Sequence, residues 1–252
     1  MALQLTKAVS DGIERTLTLT GAVAFVLLFA LQFLSLASIN TAIAARFPPE
    51  ATETLGVMLP VSGTVAGVLS VGTLLFTVVY LVIVARAFVR PQSELSSFPP
   101  LLYTRRMARA TLSMLVGSIF VALAVMIGSV FFILPGIFLA ACFMFFIFAV
   151  GVEDRGVLGG LKRSWGFSRG HRLKLGVFVF SLGVFGMLVS IPSAILQAGG
   201  EPLLGDLITV VANSIGFVFV YGIMAAMYVQ LQDGSKPPHN SQPTRDVSTT
   251  SL

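Results

Sequence analysis

Charged side chains are scarce. Asp, Glu, Lys and Arg make up 11% of the 252 residues, under half of the roughly 25% that a water-facing domain carries. A surface so poor in charge would aggregate in water, and the mean hydropathy of +0.92 makes lipid the solvent for most of it. Cysteine is all but absent. The lone Cys142 excludes an internal disulfide framework and any cysteine-rich metal site. It sits in the run Ala-Cys-Phe-Met-Phe-Phe, where it reads as a small apolar filler. The two histidines, His171 among basic residues and His239 in a polar tail, have no metal-ligand partner at helical spacing. No metal or cofactor is expected. The formal charge of +5 would raise nucleic acid as a partner for a soluble chain. For a membrane chain the position of each charge matters more, and no nucleic acid is expected.

What the chain does have is long runs without charge. Such runs mark membrane helices, because a charge at the bilayer centre costs roughly 2.5–3.5 kcal/mol on insertion scales. They lie between Arg15 and Arg46, Glu53 and Arg86, Lys174 and Glu201, and Asp206 and Asp233. Each fits one crossing of about 20 residues. A fifth run, Ala110 to Val152, is 43 residues long and holds Pro135-Gly136. As one helix it would reach about 65 Å, twice the hydrocarbon thickness. Pro lacks an N–H and Gly tolerates positive φ, so the pair predicts a tight turn between a long arm near Ala110–Leu134 and a short arm near Ile137–Val152. The spans expected are therefore about 17–43, 57–85, 110–134, 137–152, 175–198 and 207–231: an all-α, polytopic membrane protein of six transmembrane helices in three hairpins. The first span is too long for a signal peptide and follows Asp11 and Glu14, so it is expected to be retained despite Ala42-Ile43-Ala44.

The basic residues fix a side. With six crossings, 15 of the 16 Lys and Arg residues fall on one face and only Arg46 on the other, beside Glu50, Glu53, Glu201 and Asp206. The positive-inside rule then places both termini in the cytoplasm of a multi-pass cell-membrane protein. The tail over 233–252 is polar and unpatterned and is expected to be disordered. Within the loop before the fifth span, Val157, Leu158, Leu161 and Trp165 fall on one helical face. The segment 156–168 is expected to be an interfacial helix with Lys162 and Arg163 on its flank and the only Trp as anchor. Together with Arg105, Arg106, Arg109, Arg169, Arg172 and Lys174, these residues are the candidates for contact with lipid headgroups.

Polar groups inside the spans are few: Gln32, Asn40, Tyr80, Asn213 and Tyr221, with no ionisable Asp, Glu, Lys, Arg or His among them. Ion-coupled transport usually needs such a group at depth. Gln32 and Asn213 are candidates for an interhelix hydrogen bond. Ser62, Ala66 and Ser70, beside Gly63 and Gly67, form a small-residue stripe suited to close helix packing, and Pro192 is expected to kink the fifth span. No serine–histidine, paired-aspartate, phosphate-loop or zinc-protease pattern holds up, so the chain is not expected to be an enzyme. The leading reading is a non-enzymatic membrane protein whose basic cytoplasmic face contacts membrane lipids or an acidic partner, with a second copy or another membrane protein as further partner classes. A passive or lipid-directed transporter with a mostly apolar pathway is the second reading, and a membrane-embedded enzyme the third.

The turn Leu134-Pro135-Gly136, the aromatic-rich helix after it, Glu153-Asp154-Arg155-Gly156, Leu161-Lys162-Arg163-Ser164-Trp165 and Arg169-Gly170 carry a resemblance. Over about Phe131 to Phe180 the chain resembles an uncharacterised integral membrane family with archaeal members, related to the membrane domain fused to some glycerophosphoryl diester phosphodiesterases. The resemblance implies a six-span helical architecture with a cytoplasmic segment before the fifth helix. It implies no phosphodiesterase activity, because the catalytic part of those proteins is a separate soluble barrel.

Overall fold

The computed structural model describes residues 3–48, 50, 52, 55–97, 99 and 104–234. The tail expected to be disordered falls, beyond Gly234, outside the described residues. Most of the described residues are helical, as a chain must be wherever no water is present to pair backbone N–H and C=O groups. An N-terminal helix, α1 (Leu5–Thr16), precedes α2 (Leu19–Ala44) and α3 (Gly63–Phe88). Then come α4 (Met107–Phe131), α5 (Ile133–Phe143), α6 (Phe146–Gly151), α7 (Val157–Ser168), α8 (Arg172–Ala198) and α9 (Pro202–Gly234). Six stretches are long and apolar enough to cross a membrane: α2, α3, α4, α5 with α6, α8 and α9.

Local chemistry sets the ends. The Thr18 hydroxyl caps α2 by accepting from Gly21 N, and Ser62 caps α3 by accepting from Val65 N. Gly199 and Gly200, the latter at φ 84°, close α8, and Pro202 opens α9 where its missing N–H costs nothing. α8 runs unbroken through Pro192.

Three places differ from expectation. The reversal in the long apolar run is at Phe132 (φ −161°, ψ 147°), not at Pro135-Gly136. Pro135 instead lies in the first turn of α5, where an N–H would lack a helical partner. Gly136 serves close approach rather than positive φ: a Cβ there would sit 2.0 Å from Ser129 Oγ. Next, two buried Asp, Glu, Lys or Arg residues lie within the spanning-length helices, Arg86 in the last turn of α3 and Asp206 in the first turns of α9. Both have hydrogen-bond partners, as buried polar side chains require. Finally, α1 had no counterpart in the expected spans. Its buried stripe Ala8, Gly12 and Thr16 packs along the last turns of α9, so closely that a Cβ on Gly12 would meet the Ile223 Cα at 2.5 Å.

The bundle's main core gathers buried residues of α1, α2, α3, α5, α6, α7, α8 and α9 around Phe88, Phe145, Phe148 and Tyr228. A second, smaller cluster joins α3, α4 and α6 through Val82, Met114 and Phe146. α2 pairs with α3, where Tyr80 OH donates to Ala24 O, and α8 pairs with α9. The α4–α5 arm lies against α8, with Val125, Ser129 and Ile133 sharing a groove with Val184 and Met187.

Candidate functional site

The chain leaves α6 at Gly151 and reverses over Val152–Gly156, where Asp154 adopts a left-handed conformation (φ 53°) that Asp tolerates better than most residues. Its carboxylate ties three helices together. Oδ1 is 3.1 Å from Arg86 Nη2 and Oδ2 is 2.8 Å from Arg105 Nη2. Arg86 Nε also donates to Gly151 O at 2.7 Å. Glu153 forms a second knot: Arg155 Nε at 2.5 Å, Arg163 Nε at 3.0 Å, and the Tyr228 hydroxyl donating to Oε1 at 2.7 Å. Burial alone would raise the Glu153 pKa, but these three donors outweigh it and hold the carboxyl below its ordinary value. Phe145, Phe148 and Phe167 pack around the Tyr228 ring, and the Arg163 guanidinium lies 4.1 Å over Phe167.

α7 docks on this rim through small and polar residues. Gly160, Ser164, Phe167 and Ser168 are its buried positions. The Ser164 hydroxyl donates to Cys142 O at 2.8 Å, and Ser168 donates to Ala141 O and Cys142 O. Helical bonding is interrupted just beyond, at Met144–Phe145, and the two serines take up carbonyls freed there. The apolar strip read from the sequence is divided: Leu158 is 81% exposed, Leu161 packs on the smaller core cluster, and Trp165 packs edge-on to Phe138 and beside Phe143.

The basic residues sort into two groups. Arg105 and Arg163 are spent on Asp154 and Glu153, and Lys174 Nζ donates to Leu3 O at 2.9 Å. Arg106, at φ 42° before α4, and Arg109, Lys162 and Arg169 are exposed. Arg172 is different. Its guanidinium stacks 4.6 Å over Trp165 and 5.2 Å over Phe138, and among the described residues no carboxylate pairs with it. Its Nε and the neighbouring His171 Nδ1 are buried without a hydrogen-bond partner. Beside it opens a groove of about 390 Å³ between α5 and α8, lined by Leu134, Ile137, Phe138, Leu173, Val177 and Phe180. An apolar slot with an unneutralised cation at one end suits an amphiphile with an anionic head.

Gln32 and Asn213 are not brought together: Gln32 is half-buried on α2, and Asn213 lines a small groove between α8 and α9. Asn40 instead joins a polar knot at the other end of the bundle. Asp206 is buried, and its Oδ2 accepts from Asn40 Nδ2 and Val57 N, both at 3.0 Å, with Gln197 Nε2 3.5 Å from Oδ1. Ala66 of the small-residue stripe is buried, whereas Gly67 faces open space. Among the described residues, no three of His, Cys, Asp and Glu gather where they would hold a metal.

Six apolar helices, one rim rich in arginine and a spanning-length core define a multi-pass, all-helical membrane protein. The chain belongs to the family described as Domain of unknown function (DUF7847), whose pattern covers residues 3–231. No curated protein and no solved structure matches it.

Proposed function

We propose that this is a non-enzymatic plasma-membrane protein whose basic cytoplasmic face binds anionic phospholipid, with Arg172 the principal contact. The observation that carries the reading is the Arg172 guanidinium, held on two aromatic faces, unpaired, at the mouth of the apolar groove between α5 and α8. A phosphate would neutralise it while an acyl chain lies along Val177 and Phe180. In this reading α2–α3, α4–α5 and α8–α9 are three hairpins, and both termini lie in the cytoplasm with the rim. The kinship with the membrane domain of glycerophosphoryl diester phosphodiesterases belongs to the same proposal. The residues that carry it, Leu134-Pro135-Gly136, Glu153–Gly156 and Leu161–Trp165, surround the Arg172 groove and the rim.

The test uses Trp165, the only Trp. The full chain is reconstituted in vesicles that carry brominated acyl chains on either an anionic or a zwitterionic phospholipid. A basic side chain at an anionic leaflet contributes about 1 kcal/mol, so anionic brominated lipid should quench Trp165 with about fivefold preference. Arg172→Gln should abolish the preference, and Lys162→Gln, which alters an exposed side chain, should keep it. Equal quenching of the unaltered protein by both lipids would refute the reading.

A further inference from the structure

We propose that α4 and α5 form a re-entrant hairpin: both arms enter from the rim side, the tip ends inside the hydrocarbon, and four helices, not six, cross the bilayer. The foot of the hairpin is fixed. Arg86, in the last turn of α3, bonds Gly151 O and Asp154, and Asp154 in turn holds Arg105 just ahead of α4. Gly151 packs against Val82 and Ala85 of α3. From that foot the α5–α6 arm has 19 residues, a reach of about 28 Å even if upright, whereas the 26 residues of α3 span about 39 Å. Measured from Ala85, where Gly151 packs, α3 has about 34 Å left to Gly63, so the arm stops ~6 Å short of its far end.

The contacts with α8 show how short it falls. Ile137 and Phe180 line the grooves on both sides of the α5–α8 contact, and the tip-proximal Val125, Ser129 and Ile133 share theirs with α8 residues up to Met187. The segment Leu188–Ala198 continues beyond as about 16 Å of helix, with Leu188, Ile191 and Ile195 exposed. At the level of the tip the bundle is still in its apolar zone, since Val184, Met187 and Leu188 of α8 are exposed there.

Composition points the same way, independently of the contacts. The two other connections at the far end carry Arg46 and Glu50, and Glu201, with Asp206 following in the first turns of α9. The tip reads Val130-Phe131-Phe132-Ile133-Leu134-Pro135-Gly136 and carries no polar side chain. Its first five side chains are 73 to 79% exposed, a patch that would be costly in water and is favourable in hydrocarbon. The opposing term is the backbone, because a reversal inside lipid strands N–H and C=O groups. Here only Phe132 leaves helical geometry, its N–H donates to Gly128 O, and Pro135 has no N–H to strand, so the cost is confined to the last carbonyls of α4 and the remaining first-turn N–H groups of α5. The hairpin returns its basic flanks, Arg105–Arg109 and Arg155–Lys174, to the side it came from, so the charge asymmetry is kept.

Depth-dependent quenching tests this with a single moved Trp. In a Trp165→Phe background, Phe132→Trp is reconstituted with lipids brominated at successive chain positions, and Ile195→Trp serves as the reference for the far end of α8. We expect the Trp at 132 to be quenched most by labels near the chain ends and the Trp at 195 by shallow ones. Phe131→Trp repeats the measurement if the first variant does not fold. In a Cys142→Ala background, Phe132→Cys should resist a membrane-impermeant maleimide from both sides, whereas Gly200→Cys should label from one side only. Shallow quenching at 131 and 132, or labelling of Cys at 132 from the Gly200 side, would establish a full crossing and overturn the proposal.

Discussion

Single residues show which charges the membrane tolerates and why. Asp206 is 7% exposed, yet every neighbour bonded to it donates, so its two oxygens are satisfied without a cation. Asp206→Ala would strand Asn40 Nδ2 and Val57 N, each costing about 1–3 kcal/mol. We expect a clearly lower melting temperature in detergent, partly restored in Asp206→Asn, which keeps one acceptor oxygen. Asn40 was visible in the sequence as a polar residue at depth, but its partner was counted only among the acidic residues of the opposite face. Charge placement alone cannot tell a rim carboxylate from one folded into a knot by a loop such as Val57. At Glu153 the held-down pKa gives a pH signature. The carboxylate's contribution to stability is fully present above its unfolded value of about 4.3 and is lost as pH falls through the lower folded value. Acid unfolding followed by Trp165 emission should therefore shift in Glu153→Gln, which has no proton to take up, and an unchanged acid profile would show that the knot adds nothing.

At the level of whole elements, charge-free runs located all six long apolar stretches, because insertion cost is a property of composition. The ends drifted: α3 begins at Gly63 and continues past Arg86, since a buried guanidinium with a carboxylate partner can stay in a helix. The break at Met144–Phe145 was not legible, because nothing local demands it; it exists where Ser164 and Ser168 arrive from α7 to take the freed carbonyls. The double change Ser164→Ala, Ser168→Ala is predicted to loosen α7 and red-shift Trp165 emission, because the freed carbonyls lose their donors. An unshifted spectrum would mean that α7 is held by Phe167 and Arg163 alone. α1 was missed for a related reason: its contact with α9 depends on Gly12 and Gly222, which have no apolar period to read. Gly12→Leu would drive a side chain into the Ile223 backbone, so α1 should lift away and become open to protease, while α2 to α9 stay protected.

Across the whole molecule, the arginines of one face divide between structure and surface. Arg86, Arg105, Arg155 and Arg163 neutralise Glu153 and Asp154 and hold the reversal after α6, leaving Arg172 unpaired at the groove. The sequence grouped all of these together, because positive-inside counting weighs a paired arginine the same as a free one. What the count does supply is a side, and the lipid-binding account depends on that side being cytoplasmic. The most direct measurement is therefore topology: reporters fused after Ser168, after Gly200 and at Leu252 in the full chain. The account predicts cytoplasmic readings at Ser168 and Leu252 and an external reading at Gly200. A cytoplasmic reading at Gly200, or an external one at Ser168, would contradict it.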